Sequence, residues 1–311
     1  MITLNYALDT YLSMRRTLGF KLDYDETLLK EFLRFLDDHG AEYITIDLAL
    51  QWAIQPQNAQ PAYWIHRLSI VRLFAQYHSA LDHRTEVPPV GLIPGKYHRR
   101  APYIYNDTEI SQLIDAAGHL PSPNGLRAAT YSTLFGLLAV TGMRIREPIS
   151  LDLKDVNLKK GILTILHTKF RKSRLVPIHP STQEVLFKYR KLRDEIFPHT
   201  LSQSFFLSEK GLSLTHWSVR STFVKVSHEI GLRKTGDSYG PRVIDFRHTF
   251  AVKTLLKWYK DGFDVECQMP KLSTYLGHKH VNDTYWYISA VPELLNLAMI
   301  RLNKVEGGLL K

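Results

Sequence analysis

Between Val87 and Pro102 the chain reads Val-Pro-Pro-Val-Gly-Leu-Ile-Pro-Gly-Lys-Tyr-His-Arg-Arg-Ala-Pro, with four prolines, two glycines and no hydrophobic period. Each proline removes a backbone donor and fixes φ, and each glycine loosens the chain, so neither a helix nor a central strand runs through such a stretch. It therefore divides the 311 residues into two pieces, each of a size that folds around its own core. The boundaries this suggests are a domain over 1–90, a linker over 91–104, a larger domain over 105–290 and a tail over 291–311.

The first piece has helical spacing throughout. Leu4, Leu8, Tyr11 and Leu12 recur on one face and Gly19 stops the run; Asp25 is expected to cap a second run through Leu29, Phe32, Leu33 and Leu36 that ends at Gly40. A third short run follows Asp47, and a fourth starts at Pro61, a favoured first helical position, with Trp64, Ile65, Leu68, Val71 and Phe74 on one side. Beyond the linker, Asp107-Thr-Glu-Ile opens a helix and Leu126 to Thr141 forms a strongly apolar one. Gly161 to Thr168 and Arg174 to Ile178 are rich in β-formers and flank the basic turn Lys169-Phe-Arg-Lys-Ser, which predicts a hairpin. Ser181-Thr-Gln-Glu has the form of a capping box for the next helix, and 215–230, 246–259, 265–276, 283–289 and the run from Pro292 also read as helical. The fold class is mainly α with one small β-sheet: a helical domain followed by an α+β domain.

Charge separates the two pieces further. Residues 1–100 hold 11 Lys plus Arg against 11 Asp plus Glu, so the formal net charge of +10 belongs entirely to the remainder. The densest basic stretch runs from Lys154 to Arg193 and suits a polyanionic partner such as nucleic acid or an anionic membrane face. The single cysteine, Cys267, excludes an internal disulfide and a cysteine-based zinc site, and the fourteen histidines lack helical ligand pairs with a carboxylate, so no metal is expected. Asp9, Arg15 and Arg16 interrupt the apolar N-terminus, which fits neither a signal peptide nor a spanning helix; a cytoplasmic location without membrane association is expected.

Three clusters carry candidate chemistry. Thr141-Gly-Met-Arg-Ile-Arg-Glu places Arg144 at a glycine turn with Glu147 three residues on, where the carboxylate is able to orient the guanidinium or merely form a structural salt bridge. Pro241-Arg-Val-Ile-Asp-Phe-Arg-His sets Arg247 and His248 at the start of an apolar helix. Leu272-Ser-Thr-Tyr-Leu-Gly-His brings His278, with Tyr287 nine residues later.

In these boxes, their order and their spacing, the chain resembles the tyrosine recombinase (phage integrase) family, with phrasing most similar to recombinases of mobile elements. The resemblance covers nearly the whole chain and implies a helical core-binding (SAM-like) domain and a catalytic domain. It implies Arg144 and Arg247 as paired phosphate-clamping arginines, Lys169 as the hairpin lysine, His278 as the third-box histidine, Tyr287 as the nucleophile and Glu147 as support for the first arginine. The implied function is site-specific DNA recombination or integration through a 3′-phosphotyrosyl intermediate, without metal, cofactor or ATP. Implied partners are double-stranded DNA, further copies of the chain in a dimer or tetramer on that DNA, and accessory DNA-bending proteins. In the family the terminal tail docks on a neighbouring protomer; here Leu294, Leu295, Leu297, Ala298 and Leu302 are expected largely on one helical face, which would equally suit packing on its own domain.

The chemistry agrees with these residue types. A phosphodiester attacked by a phenol gathers negative charge on its non-bridging oxygens, which two guanidinium forks answer bidentately. Lys169 on a basic turn is a fitting general acid for the leaving 5′ oxygen. Tyr285 is the rival nucleophile but lacks the family offset, and with Trp286 it is expected to pack. Arg171, Lys172 and Arg174, with Lys96, Arg99 and Arg100 in the linker, are candidate DNA-backbone contacts, whereas Arg146 and Arg242 are expected at the surface. One departure stands out: three residues before its second arginine the family usually has histidine, and here Ile244 stands there, unable to donate a hydrogen bond or move a proton. Asp245 and His248 are nearby, the latter a supporting residue, but both are expected to project away from that direction along the helix. The alternatives are a type IB topoisomerase-like nicking and closing enzyme, or a DNA-binding regulator in which Ile244 marks lost catalysis.

Overall fold

The computed structural model describes residues 3–95, 101–166, 173–200, 202–234, 236–237 and 239–309, with side chains through 302 apart from residue 290. The chain forms two compact units, Met1–Arg100 and Ala101–Lys311.

The first unit holds four helices, α1 (Leu4–Thr17), α2 (Asp23–Asp38), α3 (Ile46–Ile54) and α4 (Pro61–His78). Their apolar stripes meet in a core that includes Leu8, Phe32, Leu36, Trp52 and Phe74. Arg67 is buried in this core with its guanidinium over the Trp52 ring and an N–H donated to the Trp52 carbonyl at 2.9 Å, so one charge is held by a π face and a backbone dipole. Helix α2 begins earlier than the expected cap at Asp25: its N-cap is Leu22, and Asp23, Asp25 and Glu26 all lie in the first turn, where carboxylates favour the positive end of the helix dipole. The stretch read as linker begins on this unit, since Ile93 is buried in its core and Arg72 donates to the carbonyls of Pro88 and Pro89 at 2.7 and 3.0 Å.

The second unit starts with α5 (Asp107–Gly118) and α6 (Leu126–Thr141), followed by a one-turn α7 (Arg146–Ile149). Three antiparallel strands follow in the order β1 (Val156–Asn157), β2 (Ile162–Ile165) and β3 (Arg174–Pro177). The expected hairpin is β2–β3, while β1 adds a two-residue pairing that sequence period cannot signal. Register pairs Leu163 with Val176 and Ile165 with Arg174; the apolar members of both pairs are buried, which fixes where β3 starts. Helix α8 (Pro180–Ile196) corrects the expected capping box: Pro180 occupies the first helical position, so the cap moves back to His179, whose side chain accepts from the Ser181 N–H. Then come α9 (His216–Glu229), α10 (Ile244–Lys260), α11 (Val265–Leu276), α12 (Asn282–Ala290) and α13 (Pro292–Leu309).

One core joins α5, α6, the sheet, α8, α9 and the start of α10; a second joins α10 to α13 and includes Leu255, Met269, Leu276, Tyr287 and Leu294. Helix α13 thus packs on its own unit, aided by Lys260–Glu293 and Asp264–Arg301 ion pairs, both 3.7 Å. Its inward face is Leu294, Leu297, Ala298 and Arg301, the true i, i+3, i+4, i+7 set, whereas Leu295 and Leu302 project outward rather than sharing that face as expected. Among the described residues no helix is long and apolar enough to cross a membrane.

Candidate active site

Helix α6 ends at Gly142, whose φ of 60° turns the chain sharply before Arg144. Its carbonyl accepts from Arg247 Nη1 at 3.0 Å, so the residue that stops one helix also anchors an arginine of another. Glu147, in the short α7, accepts the Arg144 backbone N–H at 2.9 Å and its Nη1 at 3.2 Å. The same carboxylate takes both terminal nitrogens of Arg174, at 3.0 and 2.7 Å. Burial pushes the Glu147 carboxyl upward; the Arg174 hydrogen bond and charge, with the N–H and charge of Arg144, overcome this and hold it below the usual carboxylate range.

Helix α11 supplies the other half of the framework. The last carbonyls of a helix lack intrahelical partners and form the negative end of its dipole. At α11 three successive carbonyls each hold a guanidinium: Tyr275 O accepts from Arg174 Nε at 2.7 Å, Leu276 O from Arg247 Nη2 at 2.7 Å, and Gly277 O from Arg144 Nη2 at 3.0 Å. Leu276 O is also 3.4 Å from Arg144 Nη1, which sets the two candidate clamp arginines side by side. Arg247 is almost wholly buried, and this desolvation, followed by the neighbouring Arg144 charge, lowers its pKa to about 10 against the opposing influence of Tyr287 and Glu147. Three guanidiniums and one carboxylate make a cationic cluster of net charge about +2, which a phosphodiester monoanion would half neutralise and a dianionic transition state would balance.

The chain leaves α11 into His278, whose Nδ1 lies 2.7 Å from Thr284 Oγ1 on α12. A single turn of that helix carries the consecutive aromatic residues Tyr285, Trp286 and Tyr287. Tyr287 faces inward, 1% exposed, with Oη 3.1 Å from His248 Nδ1 and its ring roughly parallel to that of His278. Trp286 is half-buried and packs on both His248 and Tyr287, while Tyr285 is 39% exposed rather than packed as expected. Ile244 is the first residue of α10 and half-buried. His248, four residues on, follows it on the same helical face, so the expectation that it projects away is corrected; Asp245 is buried and paired with Arg242 at 2.9 Å, and its Oδ1 also lies 4.0 Å from His248 Nε2.

The structure thus brings together Arg144, Glu147, Arg247, His248, His278 and Tyr287. Arg174, expected as a DNA-backbone contact, is instead turned inward with its side chain 11% exposed. Arg146 is exposed and Arg242 is partly so. Lys169, Arg171, Lys172, Lys96, Arg99 and Arg100 lie outside the described residues. Among the described residues no group of three His, Cys, Asp or Glu side chains is placed to hold a metal ion.

The family model described as the phage integrase family matches residues 105–293. The chain is 45% identical over 308 residues to "Putative integrase/recombinase y4rB" of Sinorhizobium fredii, covering 98% of each chain. With the tyrosine recombinase XerD of Staphylococcus epidermidis it shares 28% identity over 221 residues, 71% of this chain and 69% of the other. In fold it is similar to the Tn1549 transposon integrase, solved in complex with transposon right end DNA, at a TM-score of 0.69 and 12% identity over 97% of this chain and 99% of the other. Full-length identity to an integrase/recombinase, together with a family match spanning the site just described, identifies the chain as a member of the phage integrase family of tyrosine recombinases.

Proposed function

We propose that the protein is a site-specific DNA recombinase that cuts and rejoins duplex DNA through a phosphotyrosyl ester at Tyr287. The observation that carries this reading is the placement of Arg144 and Arg247 side by side on the end of α11, beside a buried tyrosine and two histidines. Two adjacent guanidiniums repel each other unless an anion bridges them, and a scissile phosphate offers two non-bridging oxygens for that purpose. In the reaction the Tyr287 oxygen attacks phosphorus, its phenolic proton passes to a neighbouring base, and the bond to the 5′ oxygen breaks. Charge building on the non-bridging oxygens is met by Arg144, Arg247 and His278. His248, hydrogen-bonded to the phenol, is placed to take its proton or to orient it. Lys169 is assigned the protonation of the leaving 5′ oxygen on the strength of the sequence resemblance. The ester retains the energy of the broken bond, so a 5′-hydroxyl from a second strand rejoins the backbone without ATP. Duplex DNA and other copies of the chain are the proposed partners, in keeping with relatives solved on DNA.

The test is a nicked suicide duplex taken from the DNA that flanks the gene. The parent protein is expected to form a covalent protein–DNA adduct and a strand-exchanged product; Tyr287→Phe is expected to bind equally and form no adduct. Adduct from Tyr287→Phe at the parent level would overturn the assignment, and adduct without strand exchange would favour a nicking and closing enzyme.

A further inference from the structure

Resting on that reading of the site, we propose that Arg174 is a positioning residue: it ties the start of β3 to Glu147 and to the 275–277 turn, and so sets the geometry of Arg144 rather than touching DNA. Its backbone is fixed by the pairing with Ile165, whose side chain is buried. From there one guanidinium spans two elements, donating Nε–H to Tyr275 O and both terminal nitrogens to the two oxygens of Glu147. Three donors are thereby committed, and the side chain is nearly closed to solvent, which leaves little of it to offer a phosphate in a groove.

The turn is shaped to admit this side chain. A Cβ at Gly277 would stand 3.0 Å from Arg174 Nη1 and 3.2 Å from its Cζ, so the guanidinium lies directly against that glycine. The carbonyl of Gly277 is the acceptor for Arg144 Nη2, and the next residue is His278. Glu147 meanwhile holds the backbone and the guanidinium of Arg144. Removing Arg174 loosens both supports of Arg144 at once and leaves Glu147 facing only Arg144 beside it and Arg247 from α10. The carboxyl is then buried with less cationic support, and burial favours its protonated form. Lysine does not substitute, because an ammonium is a point charge and does not bridge two carboxylate oxygens and a carbonyl in one plane.

The experiment uses the full-length protein and the same suicide duplex, reading equilibrium binding against salt and single-turnover adduct formation at saturating protein. Arg174→Ala is expected to bind with unchanged salt slope and to form adduct more slowly by on the order of tenfold to a hundredfold, approaching the loss of one preorganised donor. Its rate is expected to gain an acidic limb, falling as pH drops and Glu147 protonates, that disappears in the Arg174→Ala/Glu147→Gln double variant. Arg174→Lys is expected to recover little of the rate. A salt slope reduced by about 0.9 with an unchanged saturated rate would make Arg174 a phosphate contact and overturn the proposal. A slower rate without the acidic limb would overturn it in favour of a purely structural role. If Arg174→Ala loses its circular dichroism, Arg174→Lys decides: parent-level adduct formation refutes the proposal, and slow formation with the acidic limb supports it. None of these outcomes duplicates failure of the recombinase reading, which shows as adduct from Tyr287→Phe.

Discussion

Replacing Gly142 with alanine separates two costs that usually travel together. The residue has φ +60°, where a side chain is strained, and an added Cβ would stand 2.7, 2.9 and 3.1 Å from Cδ1, Cγ and Cβ of Phe250. Phe250 has little room to retreat, since its ring stacks on Tyr275 with centroids 5.5 Å apart and its backbone lies inside α10. Gly231 is the control: its φ is +75°, yet a Cβ there meets nothing within 4 Å. The left-handed backbone costs about 1 kcal/mol at either site. Overpacking adds about 1–3 kcal/mol at position 142 alone, which brings Gly142→Ala to about 2–4 kcal/mol. For a unit of this size about 2–4 °C of melting temperature corresponds to each kcal/mol, so calorimetry of the full chain should show Gly142→Ala melting roughly 6 °C below Gly231→Ala in the second unit's transition. Adduct formation should also slow in Gly142→Ala below its melting range, because the displaced carbonyl is the acceptor of Arg247 Nη1. Equal melting temperatures for the two variants would mean that Phe250 yields freely and that the turn is not tightly packed against α10.

The remaining expectations concern the tail and the isoleucine. Leu294 is fully buried against α10 to α12, so Leu294→Ala should cost about 2–5 kcal/mol, whereas Leu295→Ala, at a 45% exposed position, should stay within about 0.5 kcal/mol; denaturant melts check this, and a harmless Leu294→Ala would detach α13 from its own unit. Ile244→His adds a titratable donor one turn before His248 and should raise the single-turnover rate by roughly tenfold or more, toward the range of general acid–base catalysis. A folded but slower Ile244→His protein would show that the site has been repacked around the apolar side chain.

Sequence period sufficed for the long elements because each buries one continuous stripe: Leu126–Thr141 and Val265–Leu276 carry the same bounds in sequence and in structure. It failed where a neighbour far along the chain decides. Arg174 stands in a basic run and reads as a surface charge, yet its partners are Glu147, 27 residues before it, and Tyr275, 101 residues after it. The contact of His248 with Tyr287 likewise spans 39 residues. Start signals were less secure than periods: Pro180 moved the cap of α8 from Ser181 to His179, and three carboxylates moved the start of α2 ahead of Asp25. The family resemblance singled out Arg144, Arg247, His278 and Tyr287, which the structure brings close together, but the use of three consecutive carbonyls to seat three guanidiniums required the end of α11 to be placed in space.

That seating bears on why the cluster exists at all. A guanidinium taken out of water is expensive unless a carboxylate meets it, and hydrophobic replacements often stabilise proteins at such places. Arg247 is 3% exposed and donates to two backbone carbonyls, and among the described residues no carboxylate lies within ion-pair distance of it. Helix-end carbonyls offset part of the cost through their dipole, but the lowered pKa reports that burial and the adjacent Arg144 still disfavour the charge. Stability alone therefore gives no reason to keep two arginines in this arrangement. An anion entering between them reverses the balance, since it supplies the missing countercharge in a region where water screens little. On the proposed reaction, the charge that builds on a phosphoryl group during attack by Tyr287 would strengthen this interaction beyond the ground state, and it is that difference, rather than binding itself, that would accelerate the step.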